Sequence, residues 1–302
     1  MKKKIYLYLS GGLGNQLFQY AAAKNLSIIN QADLIIDTYL GFVTDFKDRR
    51  IFSLEKKRIH NITLKKFIWF FLFYRIYKKI FKLKKVFSNF FFSHLIDEMT
   101  IDYYDDNIKK FKIKRKLYLF GYFQSEKYFI ENKKIIVSEL YPSPPNKKIF
   151  LDMKKKILGS NSVAIGLRFY ETYSPDILSK LGGVTPICFY KKAIDVIYKN
   201  LENPTFFIFS TKNINVEKFL SNFEEIKKDN YHIITADNGF EDAKDNLWLM
   251  SHCTNHIISN STLYWWAAYF STAKYSKQII ISAENYANKD TCLASWKLNR
   301  YN

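Results

Sequence analysis

An arginine and a carboxylate, Arg168 and Glu171, follow the apolar run 162–167 near the middle of the chain. A guanidinium stays charged and offers paired donors that match the oxygens of a diphosphate. A carboxylate beside a bound substrate can accept the proton of an attacking hydroxyl, and it can equally form an ion pair with the arginine. Arg168 is therefore suited to a diphosphate, and both roles of Glu171 stay open.

A second candidate binding loop lies near the amino terminus and reads Gly-Gly-Leu-Gly-Asn-Gln. Gly12 and Gly14 let the backbone turn tightly and let a ligand approach the peptide groups. Asn15 and Gln16 stand at the start of a predicted helix, where free N–H groups favour anions and hydroxyl-rich ligands. The loop matches part of a dinucleotide fingerprint, but Leu17 replaces its third glycine, which argues against a nicotinamide enzyme.

A third polar group lies between an apolar run and a helical pattern in the last quarter of the chain. Asn260, Ser261 and Thr262 stand where hydroxyl and N–H groups at a helix start can hold phosphate. Trp265 and Trp266 follow at once. We expect these two side chains in the core rather than as platforms for a sugar.

Two further polar positions follow apolar runs that are typical of buried strands. Ser210 follows 204–209, and Asp237 follows 231–235. The carboxyl ends of parallel strands are where open α/β sheets bind ligands. Asp237 could contact a guanine edge, and an Asp-Asn-Gly turn explains it equally well.

The run 116–120 leads into a stretch that contains Tyr122 and Gln124. An aromatic face and an amide suit a saccharide acceptor. Ser125 as the N-cap of a helix explains the same stretch without any ligand. Both interpretations stay open at this stage.

Hydrophobic periodicity predicts alternating strands and helices, and therefore an α/β fold with parallel sheets. The predicted strands cover 4–9, 32–37, 116–120, 162–167, 204–209, 231–235 and a run beginning near 256. The predicted helices cover 17–29, 150–157, 245–253 and 262–268. His252 and His256 lie four residues apart, but the strand beginning near His256 breaks the helical face that a metal site needs, so we predict no metal site.

With 302 residues the chain is long for one core, which favours two domains. The segment 141–148 is rich in proline and polar residues, as linkers are. We predict one domain over 1–155 and a second over 156–302, with the tail returning to the first domain.

The charge of the chain is unevenly placed. The net charge is +19, and residues 1–150 hold 29 Lys+Arg against 13 Asp+Glu, whereas the remainder hold 18 against 15. Three widely spaced cysteines suggest no disulfide framework and fit a reducing cytoplasm. The basic start imitates a signal peptide, but the apolar run after it ends at Gly11 and is interpreted as a strand.

Residues 64–87 join an uncharged aromatic run to a basic amphipathic helix. The run is too short to span a bilayer, which needs about 20 residues. The helix either packs its apolar face on the core, or lies on the anionic inner face of the cytoplasmic membrane. Nucleic acid is a third partner to consider, but no recognised nucleic-acid module accompanies the charge, so none is expected.

Three stretches resemble glycosyltransferase family 11, the bacterial α-1,2-fucosyltransferases. They are the amino-terminal Gly-Gly-Leu-Gly-Asn-Gln-Leu-Phe-Gln-Tyr-Ala, the Gly-Tyr-Phe-Gln-Ser-Glu-Lys-Tyr-Phe stretch and the Asn-Ser-Thr-Leu-Tyr-Trp-Trp-Ala-Ala stretch. The family motif His-x-Arg-Arg-x-Asp is divergent here. Its slots hold Gly166, Leu167, Arg168, Phe169, Tyr170 and Glu171. A family arginine also loosely resembles Arg50.

The resemblance implies a GT-B-like enzyme with two Rossmann-type domains facing a cleft. Such an enzyme transfers L-fucose from GDP-fucose to a surface glycan, free or lipid-linked, with inversion, in an α-1,2 linkage and without a metal. Arg168 would grip the diphosphate and Glu171 would be the base. The expected donor residues are Asn15, Gln16, Arg168, Ser210, Asp237, Asn260, Ser261 and Thr262, with Gly12 and Gly14 in the loop and Tyr122 and Gln124 on the acceptor side. The alternatives are a related transferase with another nucleotide sugar, and a catalytically silent, membrane-docking member of a polysaccharide assembly.

Overall fold

The computed structural model describes residues 2–43, 53–54, 87–90, 93–98, 102–169 and 174–301. The chain divides into two compact units, Met1–Leu140 and Tyr141–Asn302. Each unit contains its own five-stranded sheet. Arg50, Tyr170, Glu171 and all of the segment 64–87 except Phe87 lie outside the described residues.

The first unit holds a sheet in the order β2-β1-β5-β4-β3. Its strands are β1 (Lys4–Tyr8), β2 (Asp33–Asp37), β3 (Phe87–Phe90), β4 (Ser93–Asp97) and β5 (Lys116–Phe120). Its helices are α1 (Leu13–Asn30), α2 (Leu40–Val43), α3 (Asp106–Lys109) and α4 (Lys133–Leu140). The strands are parallel except for β3, which pairs with β4 in the antiparallel sense.

Strand β1 is the centre of this unit because both of its faces are buried. Ile5 and Leu7 have no exposed surface. On the other face the ring of Tyr6 stacks on that of Tyr118 at 4.8 Å between centroids. A strand buried on both faces reads as a continuous apolar run, and the sequence has that pattern here.

The second unit holds a sheet in the order β10-β9-β6-β7-β8, and all of its strands are parallel. Its strands are β6 (Asn161–Gly166), β7 (Pro204–Phe209), β8 (Tyr231–Ile234), β9 (Asn255–Ile258) and β10 (Ile280–Ser282). Its helices are α5 (Lys148–Leu158), α6 (Pro175–Lys180), α7 (Ile187–Asn200), α8 (Asn213–Leu220), α9 (Ala243–Met250) and α10 (Thr262–Ser271).

One hydrophobic cluster of this unit joins strands β6 and β7 to helices α7 and α8. Val163 and Ile165 of β6 pack with Ile194 of α7, and all three side chains are fully buried. Each CH₂ group buried in such a cluster contributes about 0.8 kcal/mol. The cluster therefore fixes β6, whose carboxyl end carries Arg168.

Both sheets contain a topological switch point, where the chain connections of two neighbouring strands run in opposite directions. In the first unit this point lies between β1 and β5, and in the second between β6 and β9. Open α/β sheets bind ligands beyond the carboxyl ends of the strands at such points. The two points define where each unit's candidate site must lie.

The division between the units falls at the start of the predicted linker, 141–148. Residue 155 lies inside helix α5, which belongs to the second unit. The ring of Phe150 on this helix packs edge-on against Phe240, with 5.0 Å between centroids. The tail also packs on the second unit, because Tyr301 contacts its core and donates a hydrogen bond to the Ile280 carbonyl at 3.3 Å.

Candidate functional site

The glycine loop of the first unit turns at Gly11, whose φ is +76°. The amide of Gln16 holds this turn: its Nε2 donates to the Gly11 carbonyl at 2.8 Å, and its Oε1 accepts from the Ser53 amide at 2.9 Å. Gln16 has no exposed surface. The structure therefore places Gln16 in the interior of the loop, where it bonds backbone.

Asn15, Tyr122 and Gln124 lie together at the switch point of the first unit. The Nε2 of Gln124 donates to the Oδ1 of Asn15 at 2.9 Å. A Cβ atom on Gly11 would lie 3.0 Å from the Nδ2 of Asn15 and 3.3 Å from a ring carbon of Tyr122. The bond between Asn15 and Gln124 thus joins the loop after β1 to the loop after β5.

Helix α1 begins at this loop without the side chains that usually accept hydrogen bonds from the first N–H groups of a helix. Gly12 is its N-cap residue and has no side chain to accept a hydrogen bond, and Gly14 is buried in its first turn. The first turn carries no acidic residue. Such a start keeps its positive dipole end available to an anionic or hydroxyl-rich ligand.

Two buried side chains that sequence reasoning missed hold these loops. Gln19 accepts from the Ser10 amide at 3.0 Å and donates to the Gly121 carbonyl at 3.0 Å. The Oε2 of Glu98 accepts from the amides of Tyr122 and Phe123, both at 2.9 Å. Gln19 lies within the recognised amino-terminal stretch, whereas only its position just after a strand could have indicated Glu98.

In the second unit, Arg168 follows β6 at the switch point. The Leu167 amide donates to the Phe209 carbonyl at 2.9 Å, which extends the pairing with β7 by one residue. On the other side the Ser259 amide donates to the Gly166 carbonyl at 3.2 Å. Arg168 is half-buried at this edge, so the predicted diphosphate arginine lies where ligands bind in such sheets.

Helix α10 begins beside the neighbouring strand β9. Ser261 is its N-cap residue, but its side chain makes no capping hydrogen bond, and the first turn contains no acidic residue. Ser261 and Thr262 are half-buried, whereas Trp265 and Trp266 have no exposed surface. The expectation that the two tryptophans belong to the core is confirmed.

The amide nitrogen of Asn260 bonds backbone carbonyls, and its amide oxygen bonds a side-chain hydroxyl. Its Nδ2 donates to the carbonyls of Leu181, Gly183 and Asn285 at 3.1, 2.9 and 3.0 Å, and its Oδ1 accepts from the Thr185 hydroxyl at 3.3 Å. Its side chain therefore holds loops of this edge together.

Ser210 and Asp237 differ in what their side chains can offer a ligand. The Oγ of Ser210 is buried and has no hydrogen-bond partner among the described residues. The Oδ2 of Asp237 accepts from the Asn213 amide at 2.7 Å at the start of helix α8. The Asp-Asn-Gly sequence forms a tight turn that ends at Gly239 with φ +87°. The expected Asp-Asn-Gly turn is therefore present, and the Asp237 carboxylate bonds backbone outside that turn.

The two spaced histidines lie in different elements, as the sequence analysis expected. Helix α9 ends at Met250, and His256 belongs to β9. Burial lowers the pKa of His252 to about 4 and that of His256 to about 3, so both are neutral at pH 7. No group of three or more His, Cys, Asp or Glu side chains in the described ranges could hold a metal ion. No helix in the same ranges has the length and apolar character needed to cross a membrane.

Two Rossmann-like sheets, each with a ligand-side loop at its switch point, define a GT-B-like α/β protein. The structure shares its fold with a mutant of Arabidopsis thaliana FUT1 in complex with GDP, at 13% identity and a TM-score of 0.50, over 88% of this chain and 68% of the other.

The chain belongs to glycosyl transferase family 11, whose model matches residues 4–299. It is 28% identical to the O-antigen biosynthesis glycosyltransferase WbnK of Escherichia coli over 294 residues, which is 93% of this chain and 94% of the relative. It is also 28% identical to an alpha-1,2-colitosyltransferase of Escherichia coli over 304 residues, 95% of this chain and 96% of the relative. The resemblance found in the sequence is thereby confirmed.

Proposed function

We propose that this chain is an inverting glycosyltransferase that moves L-fucose from GDP-fucose to a hydroxyl of a surface glycan, in an α-1,2 linkage. The position of Arg168 carries the proposal. This arginine follows β6 at a switch point, next to the strand that leads into the uncapped start of α10. A guanidinium and the positive dipole end of a helix are suited to the charge that develops on a leaving diphosphate.

The proposed reaction is a single displacement. The acceptor hydroxyl oxygen attacks C1 of the fucose, the bond from C1 to the phosphate oxygen breaks, and GDP leaves with the bonding electrons. The acceptor proton passes to a carboxylate, for which Glu171 is our candidate because it lies three residues after Arg168. Attack from the face opposite GDP converts the β-linked donor into an α-linked product.

In this proposal ten of the expected site residues form three groups. Arg168, Ser210, Ser261 and Thr262 have groups suited to hold the donor diphosphate or nucleoside, and Asn15, Tyr122 and Gln124 have groups suited to a sugar. Gln16, Asn260 and Asp237 act through the backbone that they bond. In this proposal no metal is required, because Arg168 and the helix dipole stabilise the leaving group.

A second donor is supported by one of the relatives. The alpha-1,2-colitosyltransferase matches this chain over 95% of its length. Colitose is the 3-deoxy counterpart of L-fucose, so a donor site for one sugar needs little change to accept the other. A single substrate hydroxyl changes selectivity strongly only where buried groups hydrogen-bond it.

The test begins with thermal denaturation of the purified full chain in the presence of GDP, UDP, CMP and their sugars. A ligand at 100 times its Kd stabilises the protein by about 2.7 kcal/mol, so the correct base is identified directly. Transfer from GDP-fucose and from GDP-colitose to oligosaccharide acceptors with free hydroxyl groups is then followed by mass spectrometry, with and without EDTA. Stabilisation by UDP rather than GDP would refute the donor, and loss of transfer in EDTA would refute metal independence.

Arginine variants test the mechanism. Arg168→Ala should abolish turnover and weaken GDP binding while the protein stays folded, because a buried charge-assisted contact to phosphate contributes about 1.5–3 kcal/mol. Arg300→Ala, at an exposed position of the same unit, is the matched control and should leave both unchanged. Unchanged activity in Arg168→Ala would remove the mechanism. Donor binding by the wild type without any transfer or hydrolysis would favour the catalytically silent alternative.

We also propose that the enzyme acts in the cytoplasm and docks on the inner membrane through the basic segment 64–87. Each basic residue near an anionic surface contributes about 1 kcal/mol. Flotation with vesicles containing phosphatidylglycerol at low salt tests this, with neutral vesicles as the control. A protein that stays with the unbound fraction in both cases would refute the docking.

A further inference from the structure

We infer that Tyr264 is a positioning residue, whose hydroxyl holds the carboxyl ends of β6 and β7 so that Arg168 and Ser210 face the diphosphate of a nucleoside diphosphate. The inference rests on the proposed function and adds a residue to it. Tyr264 stands in the first turn of α10 and only 9% of its surface is exposed.

The hydroxyl of Tyr264 bonds two strand ends, each one residue before a proposed donor-binding residue. Its Oη donates to the Leu167 carbonyl, with 3.1 Å between the oxygens, and to the Phe209 carbonyl at 3.3 Å. A phenol has one proton, so the two carbonyls share it. Leu167 immediately precedes Arg168, and Phe209 immediately precedes Ser210.

This bond lies just beyond the end of the regular sheet. The register of β6 and β7 ends at the pair Gly166 and Phe209. After it, one backbone bond joins the Leu167 amide to the Phe209 carbonyl at 2.9 Å. The Tyr264 hydroxyl therefore adds a side-chain restraint at the last backbone bond between the two strands, one residue before Arg168.

The ring of Tyr264 requires glycine at position 166. A Cβ atom there would lie 2.5 Å from the ring Cδ2 and 2.7 Å from Cγ, closer than real Cβ atoms approach. The hydroxyl of Tyr190, on helix α7, donates to the Gly166 carbonyl at 3.2 Å. Two tyrosines from different helices thus fix this strand end. The same packing accounts for glycine in the slot where the family motif has histidine.

The first test compares ligands that do and do not carry phosphate. Tyr264→Phe keeps the ring and removes the hydroxyl, so it should weaken GDP binding by calorimetry about three- to tenfold and leave guanosine binding unchanged. Because Tyr264 acts through both Arg168 and Ser210, the double variant with Arg168→Ala should lose less affinity than the two single losses combined. Tyr275→Phe is the matched control, since its hydroxyl bonds the His252 carbonyl at 2.8 Å. It should bind both ligands as the wild type does.

The second test needs no ligand. Amide exchange in peptides covering 166–169 and 209–211 should accelerate about three- to tenfold in Tyr264→Phe and stay unchanged in Tyr275→Phe, because the lost bond is worth about 1 kcal/mol.

Equal losses for GDP and guanosine, additive losses in the double variant, or unchanged exchange would each overturn the inference. If Arg168→Ala weakens GDP binding while Tyr264→Phe does not, only the inference fails. If the wild type does not bind GDP, the proposed donor fails and the exchange experiment still decides the role of Tyr264.

Discussion

Replacing Asn260 separates two roles that its position allows, binding of the donor and support of the backbone. Asn260 has only 5% of its surface exposed, and its Nδ2 donates to the carbonyls of Leu181, Gly183 and Asn285. Asn260→Ala removes these bonds and leaves the carbonyls in a site that water reaches poorly. We expect a large loss of stability with little change in intrinsic affinity for GDP.

The size of the loss follows from counting donors. Two amide hydrogens serve three carbonyls, and the Oδ1 accepts one further bond from Thr185. With a net value of about 1 kcal/mol for each bond, two to three bonds give about 2–3 kcal/mol. For a unit of this size that corresponds to a fall in Tm of about 5–10 °C. Asn260→Asp should be worse, because it buries a negative charge against three carbonyl oxygens.

Urea denaturation followed by tryptophan fluorescence measures this loss. The matched control is Asn222→Ala, an exposed amide that donates to the carbonyls of Lys218 and Phe219 at 2.9 and 3.2 Å. It should cost less than about 0.5 kcal/mol. If Asn260→Ala lowers the free energy of unfolding by less than about 1 kcal/mol and GDP affinity by more than tenfold, Asn260 binds the donor and our reasoning is wrong.

Three further results are expected. Gln124→Leu should raise the acceptor KM more than the donor KM, because it removes the acceptor-side amide itself and affects Asn15 only through the bond that it breaks; equal effects on both substrates, measured by initial rates, would contradict this. Glu98→Gln should keep more activity than Glu98→Ala, since one amide oxygen can still accept from the loop 121–124; equal activities would refute that role. The free energy of unfolding should fall as pH drops from 6.5 toward 4, because burial holds the pKa of His252 near 4 and only the unfolded chain takes up the proton in this range. His252 contributes at most about 1.4 kcal/mol per pH unit to this fall. His252→Gln should flatten this slope, and an unchanged slope in urea titrations would count against it.

The elements of the fold were largely predictable because short apolar runs bounded by polar or glycine residues typically form buried strands. Strand β7 covers Pro204–Phe209 and ends where the small polar residues begin, and helix α10 begins at Thr262, next to the helix start predicted at Ser261. The pairing of strands was not predictable in the same way. β1 pairs with β5, more than a hundred residues later, and no local pattern records that partner.

The candidate site was predictable by position and less so by role. An amide suits both a ligand and a backbone carbonyl, so residue type could not distinguish Asn15, which bonds a facing loop, from Gln16 and Asn260, which hold backbone. Glu98 lies outside every recognised stretch, and Tyr264 lies inside one that does not indicate its role, because both roles depend on which strand ends lie beside the side chain. Those neighbours are known only from the sheet.

The distance along the chain between the paired strands β1 and β5 has a consequence for synthesis on the ribosome. Lys4 lies beside Lys116 in the finished sheet. At about 5–20 residues per second, β1 therefore waits on the order of ten seconds for this neighbour, with one backbone edge unpaired. Nascent chains halted before residue 116 should recruit chaperones through the apolar side chains of this strand, and chains released after residue 120 should not.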